Sequence, residues 1–140
     1  MKKWSVGKGI FLVILLIAAI SSVGFGSTPP RVIFVRDTDI WMTDLNGMPP
    51  VLLVEEGFDP DISPDGTQVA YTDYREGRKI AVYTIETGEL QVIDTIPGDN
   101  NYGPRWSPDG SRLLFNFWKE VGEQRSYWVI ATVRPDGSDF

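Results

Sequence analysis

Beyond residue 30 the apolar positions come in short runs, each closed by glycine, proline or a cluster of charged residues. Val32-Ile33-Phe34-Val35, Ile40-Trp41-Met42, Val51-Leu52-Leu53-Val54, Val69-Ala70-Tyr71 and Ile80-Ala81-Val82-Tyr83 are typical, and Leu113-Leu114-Phe115 continues through Asn116 to Phe117. Their β-branched and aromatic content predicts strands. Many of them lack the alternation of apolar and polar residues expected of a sheet with one wet face. Strands covered on both sides lose that alternation, so these runs predict sheets sandwiched between other sheets.

The punctuation between the runs recurs in a fixed order. Ser63-Pro64-Asp65-Gly66 and Ser107-Pro108-Asp109-Gly110 lie 44 residues apart, and each is followed at once by a strand-like run. Proline presets φ for the first central position of a type I turn, Asp suits the second, and glycine takes the left-handed conformation that lets the strands resume pairing. Before each turn stands a short segment with an internal proline, Phe58-Asp59-Pro60-Asp61-Ile62 or Tyr102-Gly103-Pro104-Arg105-Trp106. Next come polar turns, at 37–39, 74–78 and 119–125, and then glycine turns at Asn46-Gly47, Thr87-Gly88 and Pro135-Asp136-Gly137.

A period of this length, each unit holding up to four strands, is the mark of β-propeller blades. The predicted fold is therefore all-β, with about two and a half four-stranded antiparallel blades at roughly 31–55, 58–96 and 102–140. The first blade lacks its inner strand and the third its outer one. Closed propellers typically use about 4–8 blades. A truncated reading frame is the expected explanation, with assembly of several chains into a ring as the alternative.

The first 26 residues have a different character. Lys2, Lys3 and Lys8 precede an unbroken apolar run at 10–20, and the small-residue site Gly24-Phe25-Gly26 follows. This predicts an N-terminal hydrophobic helix acting as a signal peptide or membrane anchor. Extended to Phe25, the run is still shorter than the roughly 20 residues of a comfortable span, which favours cleavage. Residues from 27 onward are then periplasmic or secreted, or else anchored with the propeller outside the cytoplasm. Any membrane contact is made through the N-terminal segment, if it stays uncleaved.

Charge and missing residue types narrow the chemistry. Without the leader's three lysines the chain holds 10 basic and 19 acidic residues, a balance that repels phosphate backbones and argues against nucleic acid. The sequence contains neither His nor Cys. That removes the usual general base, the usual catalytic triad and the commonest transition-metal ligand. No nucleophile elbow or phosphate loop is present. No catalytic residue, cofactor or metal is expected.

Gly103-Pro104-Arg105-Trp106-Ser107-Pro108-Asp109-Gly110-Ser111-Arg112, with Arg134-Pro135-Asp136-Gly137-Ser138 after it, resembles the repeat of the TolB-type, WD-repeat-like propellers. The segment 58–66 is a fair match with Ile62 in place of Trp, and 31–54 matches only in strand order. The resemblance implies an extracytoplasmic propeller that binds proteins. It equally implies a kinship with the gating propellers of prolyl-oligopeptidase-type serine peptidases.

Two groups of residues remain as candidate sites. Asp59, Asp61, Ser63 and Asp65 alternate like calcium ligands, but prolines interrupt them, Thr72 stands where a closing carboxylate is needed, and Arg105 replaces Asp61 in the second copy. They are expected to be turn acids. Trp41, Trp106 and Trp128 are expected in the core. Trp118, beside Lys119-Glu120 in the longest predicted loop, is the candidate for an exposed aromatic in contact with a partner; burial against a neighbouring blade is the alternative. The expected function is a non-enzymatic scaffold that binds a protein partner in the bacterial cell envelope. The alternative is the propeller portion of an exported serine peptidase whose catalytic domain lies elsewhere.

Overall fold

The computed structural model describes residues 30–122 and 125–140. The expected leader at 1–26 lies outside the described residues. Those described form ten strands and no helix. Sheet 1 is β1 (Arg31–Arg36), β2 (Asp39–Asp44) and β3 (Val51–Val54); sheet 2 is β4 (Gly57–Ile62), β5 (Gln68–Asp73), β6 (Lys79–Thr84) and β7 (Leu90–Val92). Sheet 3 is β8 (Asn101–Trp106), β9 (Leu113–Val121) and β10 (Arg125–Val133). Within each sheet, strands follow chain order and pair antiparallel.

The middle sheet shows why alternation is lost. Tyr71 and Ala81 join Ile40 and Val54 of sheet 1 in one buried cluster. Their chain neighbours Ala70, Ile80 and Val82 join Leu113, Phe115 and Val133 of sheet 3 in another. Each successive residue of β5 and β6 thus faces a different neighbouring sheet, and both faces are dry. Fully burying a side chain such as Leu113 is worth roughly 1.5–3 kcal/mol.

Inner strands carry a bulge where they hold proline. Pairing of β4 with β5 shifts register between Phe58 and Asp61, and that of β8 with β9 between Tyr102 and Arg105. The extra residue takes positive φ in both, +50° at Asp59 and +67° at Gly103. A bulge leaves an amide without a ladder partner, so proline beside it costs no pairing.

One expected loop is shorter than predicted. The polar run after Trp118 predicts a turn covering 119–125. Instead β9 and β10 reach into it, pairing Lys119 with Tyr127, Glu120 with Ser126 and Val121 with Arg125. The hairpin is three residues longer per strand than the corresponding one of sheet 2.

Candidate functional site

The Ser-Pro-Asp-Gly turns are built alike. Ser63 N donates to Gln68 O at 2.8 Å, Gly66 N to Ser63 O at 2.8 Å, and the Thr67 amide and hydroxyl both donate to Asp65 Oδ1. In the second copy Ser107 N donates to Arg112 O, Gly110 N to Ser107 O, and Ser111 replaces Thr67 at Asp109. Gly66 and Gly110 have φ of +74° and +71°. Pro64 and Pro108 sit at the first central positions, and Pro64 lies against Gly110 of the next sheet. The carboxylates are therefore occupied as turn caps. Hydrogen bonds from Ser107 and Ser111 hold the Asp109 carboxyl down at about 2. At Asp65 partial burial pushes the other way, but the donors from Ser63 and Thr67 outweigh it.

Asp61 has a role that sequence reasoning missed. Its Oδ2 accepts the Trp106 amide at 2.7 Å and its carbonyl accepts the Trp106 indole N–H at 3.1 Å, latching sheet 2 to sheet 3. Burial raises its pKa despite the Trp106 amide and the nearby Arg105. Two further latches join neighbouring sheets, and the first of them recurs. Gly57 N donates to Thr38 O and Asn101 N to Arg78 O, so each polar turn receives the start of the next inner strand. Gly103 N donates to Thr72 Oγ1 at 3.0 Å. The only hint in the sequence is that Asp61 and Trp106 stand about one period apart.

The face of sheet 3 turned away from sheet 2 is open among the described residues. Register places Leu114, Asn116, Ile130 and Thr132 where sheet 2 has Ala70, Thr72, Ile80 and Val82. In sheet 2 these positions are covered, with Ala70 and Ile80 at 0% exposure; in sheet 3, Leu114 is 45% and Ile130 64% exposed. Tyr102, Arg105 and Asp59 border the same shallow depression of about 350 Å³.

Beside it lies an aromatic cluster. Trp118 and Trp128 are register partners with ring centroids 4.7 Å apart, and Tyr102 meets Trp128 edge-on at 5.0 Å. The expectation for the two tryptophans needs correcting. Trp118 lies on β9 rather than in a loop and is half-buried, while Trp128, expected in the core, is 42% exposed. The reason is which face of the sheet they occupy. Trp106 and Trp41 are half-buried, the first packed on the core between sheets 2 and 3 and the second beneath the Arg36 guanidinium, 3.7 Å from its ring centre. Among the described residues no acidic cluster is arranged to hold a metal ion.

No family model matches the chain. It is 30% identical over 113 residues to a TolB homologue of Chlorobaculum tepidum, covering 72% of this chain and 24% of that protein. Over 70 residues it is 39% identical to the uncharacterized peptidase YuxL of Bacillus subtilis, covering 46% of this chain and 10% of that one. Among solved structures, TolB from Acinetobacter baumannii superposes with a TM-score of 0.63 at 19% identity, over 76% of this chain and 27% of its own. The chain thus spans about a quarter of the length of these two TolB proteins.

Proposed function

We propose that this chain, which consists of TolB-type β-propeller blades, is a non-enzymatic binding module that meets a protein partner outside the cytoplasm. The observation that carries the reading is the Tyr102, Trp118 and Trp128 cluster. Three aromatic rings are held in fixed mutual geometry on paired strands, with Trp128 open to solvent. Rigid, partly exposed aromatics are the side chains that most often dominate protein interfaces. The acids that could have served chemistry are occupied as turn caps and inter-sheet latches. Export rests on the charge and apolar pattern of the leader.

The match to a peptidase supports a second reading, a propeller that serves a peptidase catalytic domain. One experiment separates the two. A photo-cross-linking residue is placed at Trp128, and at exposed Glu86 as a control, in the full chain expressed in a bacterial host. The scaffold reading expects a discrete adduct with an extracytoplasmic protein from position 128 alone. Adducts confined to cytoplasmic proteins, or peptide hydrolysis that scales with purified chain, would overturn it.

A further inference from the structure

We infer that Asn46 is a site of spontaneous covalent modification, where water converts the side chain to aspartate and isoaspartate through a cyclic imide formed with the Gly47 nitrogen. The inference does not depend on the binding role. Asn or Asp precedes glycine at four places, Asn46-Gly47, Asp65-Gly66, Asp109-Gly110 and Asp136-Gly137. Glycine has no Cβ to hinder ring closure, so all four are candidates by sequence.

The structure separates them. In the three Asp-Gly turns both reacting groups are held. Gly66, Gly110 and Gly137 N donate to Ser63, Ser107 and Arg134 O at 2.8, 2.9 and 2.8 Å. Asp65, Asp109 and Asp136 Oδ1 each accept the amide and hydroxyl of the residue after the glycine, Thr67, Ser111 and Ser138. These carboxyls are also ionised at neutral pH, and a carboxylate is a poor electrophile. At Asn46 neither restraint operates. Asn46 and Gly47 are exposed in the β2–β3 turn, and a Cβ at Gly47 would meet nothing within 4 Å. Among the described residues no hydrogen bond of comparable geometry engages the Gly47 amide or the neutral Asn46 carboxamide. The turn is gripped around them instead, with Asp44 Oδ1 accepting the Asn46 and Met48 amides, both at 2.9 Å.

The reaction is a net hydrolysis. The Gly47 amide gives its proton to solvent base and its nitrogen attacks Asn46 Cγ. The new C–N bond closes the imide, and the bond from Cγ to the side-chain nitrogen breaks to release ammonia. Water then opens the ring at Cγ to leave aspartate, or at the backbone carbonyl to leave isoaspartate. No oxidant or cofactor is required. Isoaspartate lengthens the backbone by a methylene between the two amides that Asp44 holds together, so it loosens the turn, whereas aspartate only adds a charge.

The test is ageing of the folded full chain at neutral pH and one unit higher. Trypsin then places Asn46 in peptide 37–75, Asn100 and Asn101 in 80–105, and Asn116 in 113–119. Mass spectrometry should find exchange of NH2 for OH at residue 46 about tenfold or more faster than at the other asparagines. The rate should rise about tenfold per unit of pH, because the deprotonated amide is the nucleophile. Asn46→Ser should abolish the acidic shift of the intact protein on isoelectric focusing. The aged chain should unfold at lower urea than Asn46→Asp, which gains the charge without the methylene. Unfolding in urea should speed isoaspartate formation at residues 65, 109 and 136. Equal ageing of all four asparagines, or an acidic shift as fast in Asn46→Ser, would overturn the inference. So would isoaspartate forming in the folded chain as fast at residues 65, 109 or 136 as at 46. An aged chain as stable as Asn46→Asp would refute the loosening of the turn.

Discussion

Gly57→Ala tests the packing between sheets 1 and 2 at its tightest point. Gly57 is buried, and a methyl group built on it would lie 2.6 Å from Ile40 Cδ1 and 2.9 Å from Tyr71 Cδ2. Neither neighbour has room to give way, since Ile40 and Tyr71 are both fully buried. Overpacking of this kind costs roughly 1–3 kcal/mol. Gly57 does not have positive φ, so alanine also restricts the unfolded chain and returns about 0.4–1 kcal/mol. The net expectation is a loss of about 1–2 kcal/mol, read as a lower urea midpoint by tryptophan fluorescence with an unchanged slope.

The cause can be isolated with a second substitution. Ile40→Val deletes the Cδ1 atom that meets the new methyl group, at a cost of about 0.5–1.5 kcal/mol by itself. In the Gly57→Ala background it should cost less, because it also relieves the clash, and the double variant should be more stable than the sum of the singles by about 0.5 kcal/mol or more. Strict additivity, or a Gly57→Ala protein as stable as the parent, would refute the claim that this approach is what requires glycine.

Replacing Gly66 or Gly110 by Val should lower stability by roughly 1–2 kcal/mol in the same titration, from backbone strain at positive φ; at Gly66 a Cβ atom would meet nothing within 4 Å, so strain acts there without a clash. Asp61 gives a pH dependence of opposite sign to the turn acids. Its folded pKa is raised above 3.8, so its contribution to stability is full at low pH and is lost as pH rises through the folded value. Asp65, Asp109 and Asp136 are held below 3.8, and their contribution is present at neutral pH and lost as pH falls through their folded values. Asp61→Asn keeps an acceptor for the Trp106 amide, so its stability relative to the parent should be more favourable at neutral pH than at about pH 4; a difference that does not vary with pH would contradict the assignment.

The all-β fold was legible because its signals are local. A turn such as Ser63-Pro64-Asp65-Gly66 carries its conformation in four consecutive residues, and apolar runs of both-face character report burial without reference to a partner. The extension of the β9–β10 hairpin was not legible, since Lys119 and Glu120 look like a polar break although they only mark exposed positions on a paired strand. Trp128 departs from expectation for a related reason. Its neighbours in sequence are apolar, but burial depends on whether another sheet covers its face, and Ile130 on that same face is open too. The latches at Asp61 and Thr72 were hidden because their partners lie 45 and 31 residues away. A carboxylate spaced like a calcium ligand and a threonine in an apolar run gave no sign of either bond.

A repeat fold separates the residues that make a blade from those that give one blade its identity. Positions that agree between copies, the Ser-Pro-Asp-Gly turn and the bulge proline at 60 and 104, serve the backbone and would do so in any blade. Positions that differ carry what one face says to its neighbour. Asp61 and Arg105 occupy the same place with opposite charge, and Asp61 accepts the Trp106 amide while Arg105 donates to the carbonyls of Asp59 and Pro104. Ala70 admits a closely packed strand where Leu114 presents a larger apolar surface, and Thr72 accepts the Gly103 amide where Asn116 stands in sheet 3. Strand pattern cannot encode such choices, because it is satisfied equally by every variant. Specificity in this chain is therefore to be sought where the copies disagree.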